Sequence, residues 1–168
     1  MARTAAALLL ALAAVGVWAN APTPAVAGTA SRVVVDKSDR ALWLMDGDAV
    51  LARYPVALGA RPDGHKRREG DERTPEGHYT LDRRNAHSAY HRSIHISYPD
   101  PADAAHAHAR GDDPGGMIMV HGMRNGLGWL GRVHRFWNWT DACVAVTDAE
   151  MDEIWDAVPD GTPIEIRP

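Results

Sequence analysis

The chain has 168 residues, with 18 basic against 22 acidic side chains and a formal net charge of −4. That balance excludes the broad basic footprint a nucleic-acid or anionic-lipid binder requires. A hydrophobic content of 45% excludes general disorder and fits one globular domain.

Residues 1–27 have the layout of a secretory signal peptide. Arg3 supplies the positive end, an Ala/Leu-rich apolar run covers 5–17, and small-x-small sites follow at Ala19-Asn20-Ala21 and Ala25-Val26-Ala27. The run is short for a permanent span, which needs about 20 residues. No cysteine stands at the end of the run, so lipoprotein processing is not expected. The expectation is an exported protein of the periplasm or cell envelope, a monomer with no membrane span after cleavage. Residues 28–31 read as the end of a short Pro/Ala/Thr-rich linker, and 32–168 as a single domain.

Strands are expected at 32–36, 41–45 and 49–57, the last two joined by the turn Asp46-Gly47-Asp48. The Gly-, Pro- and charge-rich stretch 59–70 reads as an exposed loop. Further strands follow at 78–82 and 93–97, then a short helix at 102–110 closed by Gly111. Residues 117–120 are wholly apolar and read as a buried strand, with His121 and Gly122 at its C-terminal end. A turn at 125–128, a short helix at 129–137 and a brief strand at 144–146 come next. Thr147 and Glu150 form a capping box that opens a helix to about Val158, and 164–166 closes the domain as a strand. The predicted class is mainly β with short helices.

Cys143 is the only cysteine, so an internal disulfide is impossible. In an exported protein a lone cysteine is either a packed small hydrophobe or a reactive thiol. His121 ending one buried strand and Cys143 beginning another favour the second. A thiolate attacks acyl carbon, a nearby imidazole takes its proton, and backbone N–H groups around Cys143 stabilise the oxyanion. His134 is nearer in sequence but falls on a predicted helix, which makes it the second choice. Asp141 either faces His121 or a substrate ammonium, or bonds its own loop. Arg124 and Asn125 are candidates for a substrate carboxylate. Trp129, Trp137 and Trp139 read chiefly as anchors that pin a long loop, with a substrate platform as the other role. His87, His91 and His95 recur every four residues, but they fall partly on a strand and no HExxH is present. Neither a metal nor a cofactor is expected.

Three blocks together resemble a known family. They are Gly70-Asp71-Glu72-Arg73-Thr74-Pro75-Glu76-Gly77-His78-Tyr79, the His121-Gly122 pair, and Thr140-Asp141-Ala142-Cys143-Val144-Ala145-Val146-Thr147. They are similar to the L,D-transpeptidase catalytic domain (YkuD), in its YafK-like branch. The resemblance implies a β-sandwich or barrel-like domain acting on peptidoglycan stem peptides. It further implies that Cys143 is the nucleophile forming a thioester at diaminopimelate, and that His121 is the general base and acid. A backbone carbonyl at Gly122 would orient His121, and the backbone at Ala142 would belong to the oxyanion region. Thr140, Asp141 and Trp139 would join Arg124 and Asn125 along the substrate. Transfer to a second stem gives a 3-3 cross-link. Hydrolysis or amidase release of a peptide or protein from diaminopimelate is the alternative, and a non-catalytic wall-binding module is another. Ala142 departs from the family pattern, which has glycine there; at positive φ, alanine would cost roughly 1–2 kcal/mol.

Overall fold

A computed structural model describes residues 26–168. The expected signal segment therefore lies almost wholly outside the described residues. Ala30 is already buried and donates its N–H to the Ala157 carbonyl at 2.8 Å, so the chain is tied down before the first strand begins.

Eight strands build one mixed sheet: β1 (Arg32–Asp36), β2 (Ala41–Asp46), β3 (Ala49–Pro55), β4 (Gly77–Ser88), β5 (His91–Ile96), β6 (Met119–His121), β7 (Val144–Ala145) and β8 (Thr162–Arg167). Their spatial order is β3-β2-β1-β8-β4-β5-β6-β7. Beyond β3 the chain crosses to the opposite edge, where Ala57 and Ala145 exchange backbone hydrogen bonds at 2.9 and 2.8 Å and Gly59 bridges Thr140. Those contacts curl the sheet onto itself, which gives the expected mainly β, barrel-like domain.

Period-two patterning makes the core. In β8, Thr162, Ile164 and Ile166 are buried while Pro163 and Arg167 face outward. Val33 and Val35, Leu42 and Leu44, and Ile94 and Ile96 repeat the device in β1, β2 and β5. Three short helices flank the sheet: α1 (Pro101–His108), α2 (Asp148–Ala157), and a pair of 3₁₀ turns over Gly128–Phe136 broken at Gly131. In α2, Met151, Ile154 and Ala157 form the buried stripe. Thr147 accepts from the Glu150 N–H and Glu150 accepts from the Thr147 N–H, the reciprocal cap expected from the sequence. No helix among the described residues is long and apolar enough to cross a membrane.

Several strand bounds differ from expectation: β3 ends at Pro55 rather than at 57, β5 covers 91–96 rather than 93–97, and β8 covers 162–167 rather than 164–166. The buried strand begins at Met119 rather than at residue 117, and it includes His121. Met117 sits at φ 56 and is 65% exposed, because a left-handed residue cannot extend a pleated strand. β4 runs on to Ser88, well past residue 82, because its polar half is held by backbone pairing to β5 rather than by burial.

Candidate active site

β6 and β7 are parallel neighbours with Val120 opposite Val144 and His121 opposite Ala145. Cys143 therefore stands just ahead of β7, level with Met119. Pleat alternation turns its side chain to the same face as His121. Both line a cleft of about 700 Å³, together with Tyr90, Ser93, Trp139 and Asp141.

The His121 imidazole is 4% exposed, and its Nδ1 lies 2.6 Å from the Gly122 carbonyl. A carbonyl can only accept, so Nδ1 carries the proton and Nε2 is left as the lone pair. Tyr90 and Trp139 close around the ring, with centroids at 4.7 and 5.8 Å. Glycine at 122 leaves room for Asp148: a Cβ there would meet Asp148 Oδ1 at 2.8 Å and press on the oxygen that accepts the Met123 N–H.

Cys143 is partly buried. Its sulfur accepts the Met119 N–H at 3.4 Å, and the thiol lies 3.8 Å from the Met117 carbonyl. No hydrogen bond joins the sulfur to His121 among the described residues. Burial pushes the thiol up to about 11, and the Asp141 carboxylate adds to the rise against the Met119 N–H and Lys66. Burial likewise holds His121 below the usual imidazole range, although the Gly122 carbonyl favours its charged form. Both shifts favour the neutral pair. That runs against a thiol kept ionised at rest by the imidazole and favours a proton that moves only as attack occurs. Alkylation of native Cys143 by iodoacetamide at pH 7 should run roughly 100-fold slower than in the unfolded chain, from the gap between about 11 and 9.0. It should also climb about tenfold per pH unit towards pH 10. Timed mass spectrometry checks this, and a pH-independent rate would refute it.

Ala142 is buried and sits at φ 155, a region where side chains are strained. Its N–H and that of Cys143 have no acceptor among the described residues, which leaves two donors beside the sulfur. Gly59 backs this turn closely: a Cβ there would fall 2.3 Å from the Glu72 carbonyl and 3.2 Å from the Ala142 Cα. Thr140 Oγ1 donates to the Cys143 carbonyl at 2.7 Å and fixes the turn from within. Replacing Ala142 with glycine removes the strain at a smaller entropic cost, a net gain of about 1 kcal/mol. The midpoint of thermal unfolding should therefore rise by about 2–4 °C. A lowered midpoint would mean that the backbone there is unstrained.

The remaining candidates separate clearly. Asp141, Thr140 and Trp139 line the cleft; Arg124 and Asn125 do not. Asn125 is occupied with the β4–β5 turn, accepting the His91 N–H at 2.8 Å and donating to the Ser88 carbonyl at 3.1 Å. Arg124 is exposed outside the cleft. His134, the alternative base, is also outside it, with burial and the neighbouring Arg135 pulling it down to about 4. Trp129 and Trp137 are 78% and 51% exposed, so neither anchors its loop; Trp139 does, donating towards His134 at 3.4 Å. Leu58 N–H to Asn138 Oδ1 and the Arg135–Glu150 ion pair supply the rest of the pinning. His91 and His95 are paired separately, with Asp152 and Asp82.

The loop 59–70 is largely exposed, as expected, and it is organised about Asp71. Burial opposes ionisation of this carboxyl, yet the Arg67 N–H, Lys66 and the Arg73 N–H hold it below its usual range. Lys66 is itself buried against it at 2.9 Å. Tyr90, Glu69, Glu72 and the Met119 N–H were not legible as site groups, because strand pairing and this loop bring them in from remote positions.

Comparison with known proteins bears on the family and the fold. Residues 30–166 match the family described as YkuD, the L,D-transpeptidase catalytic domain. YafK of Escherichia coli (strain K12), which carries the L,D-transpeptidase name, is 31% identical over 111 residues, 65% of this chain and 37% of YafK. The chain thus spans little more than a third of that relative. The helical cell shape determining protein Pgp2 from Campylobacter jejuni superposes with a TM-score of 0.62 at 24% identity, over 80% of this chain and 46% of Pgp2. An L,D-transpeptidase from Xylanimonas cellulosilytica superposes at 0.54 with 18% identity, over 83% and 61%. At those identities the likeness is one of fold.

Proposed function

The chain belongs to the L,D-transpeptidase catalytic domain family, YkuD, and on that premise we propose that it is an exported cysteine acyl-transferase acting on peptidoglycan stem peptides. The observation that carries this reading is the shared face of His121 and Cys143 within one cleft, beside two unengaged backbone N–H groups.

In the proposed reaction, the donor peptide bond after diaminopimelate enters the cleft with its carbonyl over Cys143. The sulfur attacks that carbon while its proton passes to His121 Nε2. Negative charge on the carbonyl oxygen is met by the Ala142 and Cys143 N–H groups. His121 then delivers the proton to the departing nitrogen, the C–N bond breaks, D-alanine leaves, and a thioester remains. The side-chain amine of a second stem attacks the thioester and yields a 3-3 cross-link; water attacking instead yields a tripeptide. Gly122, by accepting from Nδ1, keeps Nε2 as the working atom through both halves.

The test is product analysis. Purified protein incubated with disaccharide-tetrapeptides should give tripeptides, 3-3 dimers or both by mass spectrometry. Unchanged tetrapeptide under conditions where the protein is folded would exclude the reading.

A further inference from the structure

His134 is buried, titratable and unused by the reaction just described. The residue is 1% exposed on the segment Gly128–Phe136, and it does not line the cleft. Trp139 stands between it and the site. The indole N–H donates towards His134 Nδ1 at 3.4 Å, and the two rings meet edge to face, 6.3 Å apart at 82°. Trp139 in turn meets His121 edge to face, 5.8 Å apart at 66°. Tyr90 stacks on Trp139 at 6.3 Å and 25°, and leans on His121 at 4.7 Å.

The fold leaves Trp139 one freedom. Its backbone is pinned on both sides by Leu58, whose N–H goes to Asn138 Oδ1 at 3.0 Å and whose carbonyl accepts the Thr140 N–H at 3.2 Å. What remains is the direction of the indole, and His134 holds its polar end. His134 is itself held, because Arg40 donates to the Arg135 carbonyl at 2.6 Å and Arg135 pairs with Glu150 of α2. An indole N–H only donates, so His134 Nδ1 is the lone pair and Nε2 carries the proton. Nε2 has no hydrogen-bond partner among the described residues, so the tautomer answers to Trp139 alone. Burial first, then Arg135, hold His134 down to about 4, with His121 and Arg40 adding to the fall and Glu150 opposing it. The acceptor on Nδ1 is therefore present wherever an imidazole base works.

We propose that His134 is a positioning residue for the general base: by accepting the indole N–H it holds Trp139 against His121, and Trp139 with Tyr90 then shuts water away from the His121 ring. The catalytic consequence rests on the acyl-transfer function above. His121 must be neutral to take the thiol proton, and enclosure disfavours its charged form. With the indole released, water reaches the ring, His121 is protonated at higher pH, and the acid side of the rate profile moves up. The other titratable and charged groups on the elements packed around His121 are His91 and Arg92 of β5, Tyr90, Asp141, Cys143, and Asp148 of α2. A substitution at 134 removes none of them. His134 is itself neutral above about pH 5, so such a shift cannot come from lost charge.

The experiment reads His121 twice, by NMR titration of its ring and by the pH profile of disaccharide-tetrapeptide turnover. His134→Leu keeps bulk and loses the acceptor; it should raise both the ring midpoint and the acid limb by at least about half a pH unit. His134→Asn, whose Oδ1 stands where Nδ1 stood, should return both to wild type. Trp139→Phe, which removes the indole N–H, should show the displacement by itself, and adding His134→Leu to it should shift neither readout further. A folded His134→Leu protein with unmoved titration and profile would reduce His134 to packing and overturn the proposal. So would His134→Asn matching His134→Leu, or a further shift on the Trp139→Phe background. If His134→Leu does not fold, an unmoved midpoint in Trp139→Phe overturns it equally. Wild type that leaves the tetrapeptide unchanged would remove the acyl-transfer function, and the NMR titration would still decide what His134 does to His121.

Discussion

Cys143→Ala and Cys143→Ser are both expected to lower turnover of disaccharide-tetrapeptide by at least roughly 10⁴-fold, since loss of a covalent nucleophile leaves only binding and oxyanion contributions. The two variants should differ in stability. Alanine strips the Met119 N–H of its acceptor, and a half-buried donor left unpaired costs about 1–3 kcal/mol. Serine returns an oxygen able to accept that bond, so its thermal midpoint should stay near wild type. A serine variant that is stable and inactive separates chemistry from scaffolding. Retained activity in either variant would remove Cys143 from the reaction.

The site owes its geometry to the closure of the sheet. β7 is only two residues long, and two such residues hold the turn that bears Cys143 in place because both edges are bonded: β6 on one side, Ala57 on the other. Thr140 is tied into the same seam, with its N–H on the Leu58 carbonyl and its carbonyl on the Ala60 N–H. The turn bearing Asp141, Ala142 and Cys143 is therefore pinned at both ends, which allows Ala142 to persist at an unfavourable φ.

Much of this was legible in the sequence, and the reasons for the exceptions are physical. β1, β2, β8 and α2 carry strong local patterns of alternation or capping, so they stand almost where periodicity puts them. The placing of His121 near Cys143 followed from one short apolar run that ends at His121 and another that begins at Cys143. Met117 misled because it is apolar and yet exposed, its backbone being turned aside after Gly115 and Gly116. Arg124 and Asn125 misled because nearness to His121 in sequence says nothing of direction: past Gly122 the chain leaves the cleft and meets the β4–β5 turn. The order around Asp71 was invisible for the opposite reason. Its hydrogen bonds run to backbone N–H groups, which any residue type supplies.

His121→Asn should reduce turnover by about 10²–10⁴-fold, the range for removing a positioned general base. Asparagine can still donate its side-chain N–H to the Gly122 carbonyl in place of Nδ1, and it fills part of the space between Tyr90 and Trp139, so the fold should survive. What it cannot do is accept the thiol proton. The sign of the pH dependence then separates a base from a scaffold. In wild type, a neutral His121 with its pKa held below the usual value stays competent through pH 7, and activity should decline only as pH falls beneath about 6.5. In the variant, solvent must deprotonate a thiol whose pKa is pushed up to about 11, so the residual rate should rise by about tenfold per pH unit across pH 7–10. Parallel pH profiles in the two proteins would mean that His121 only packs beside the sulfur, and the proton would need another acceptor within the cleft.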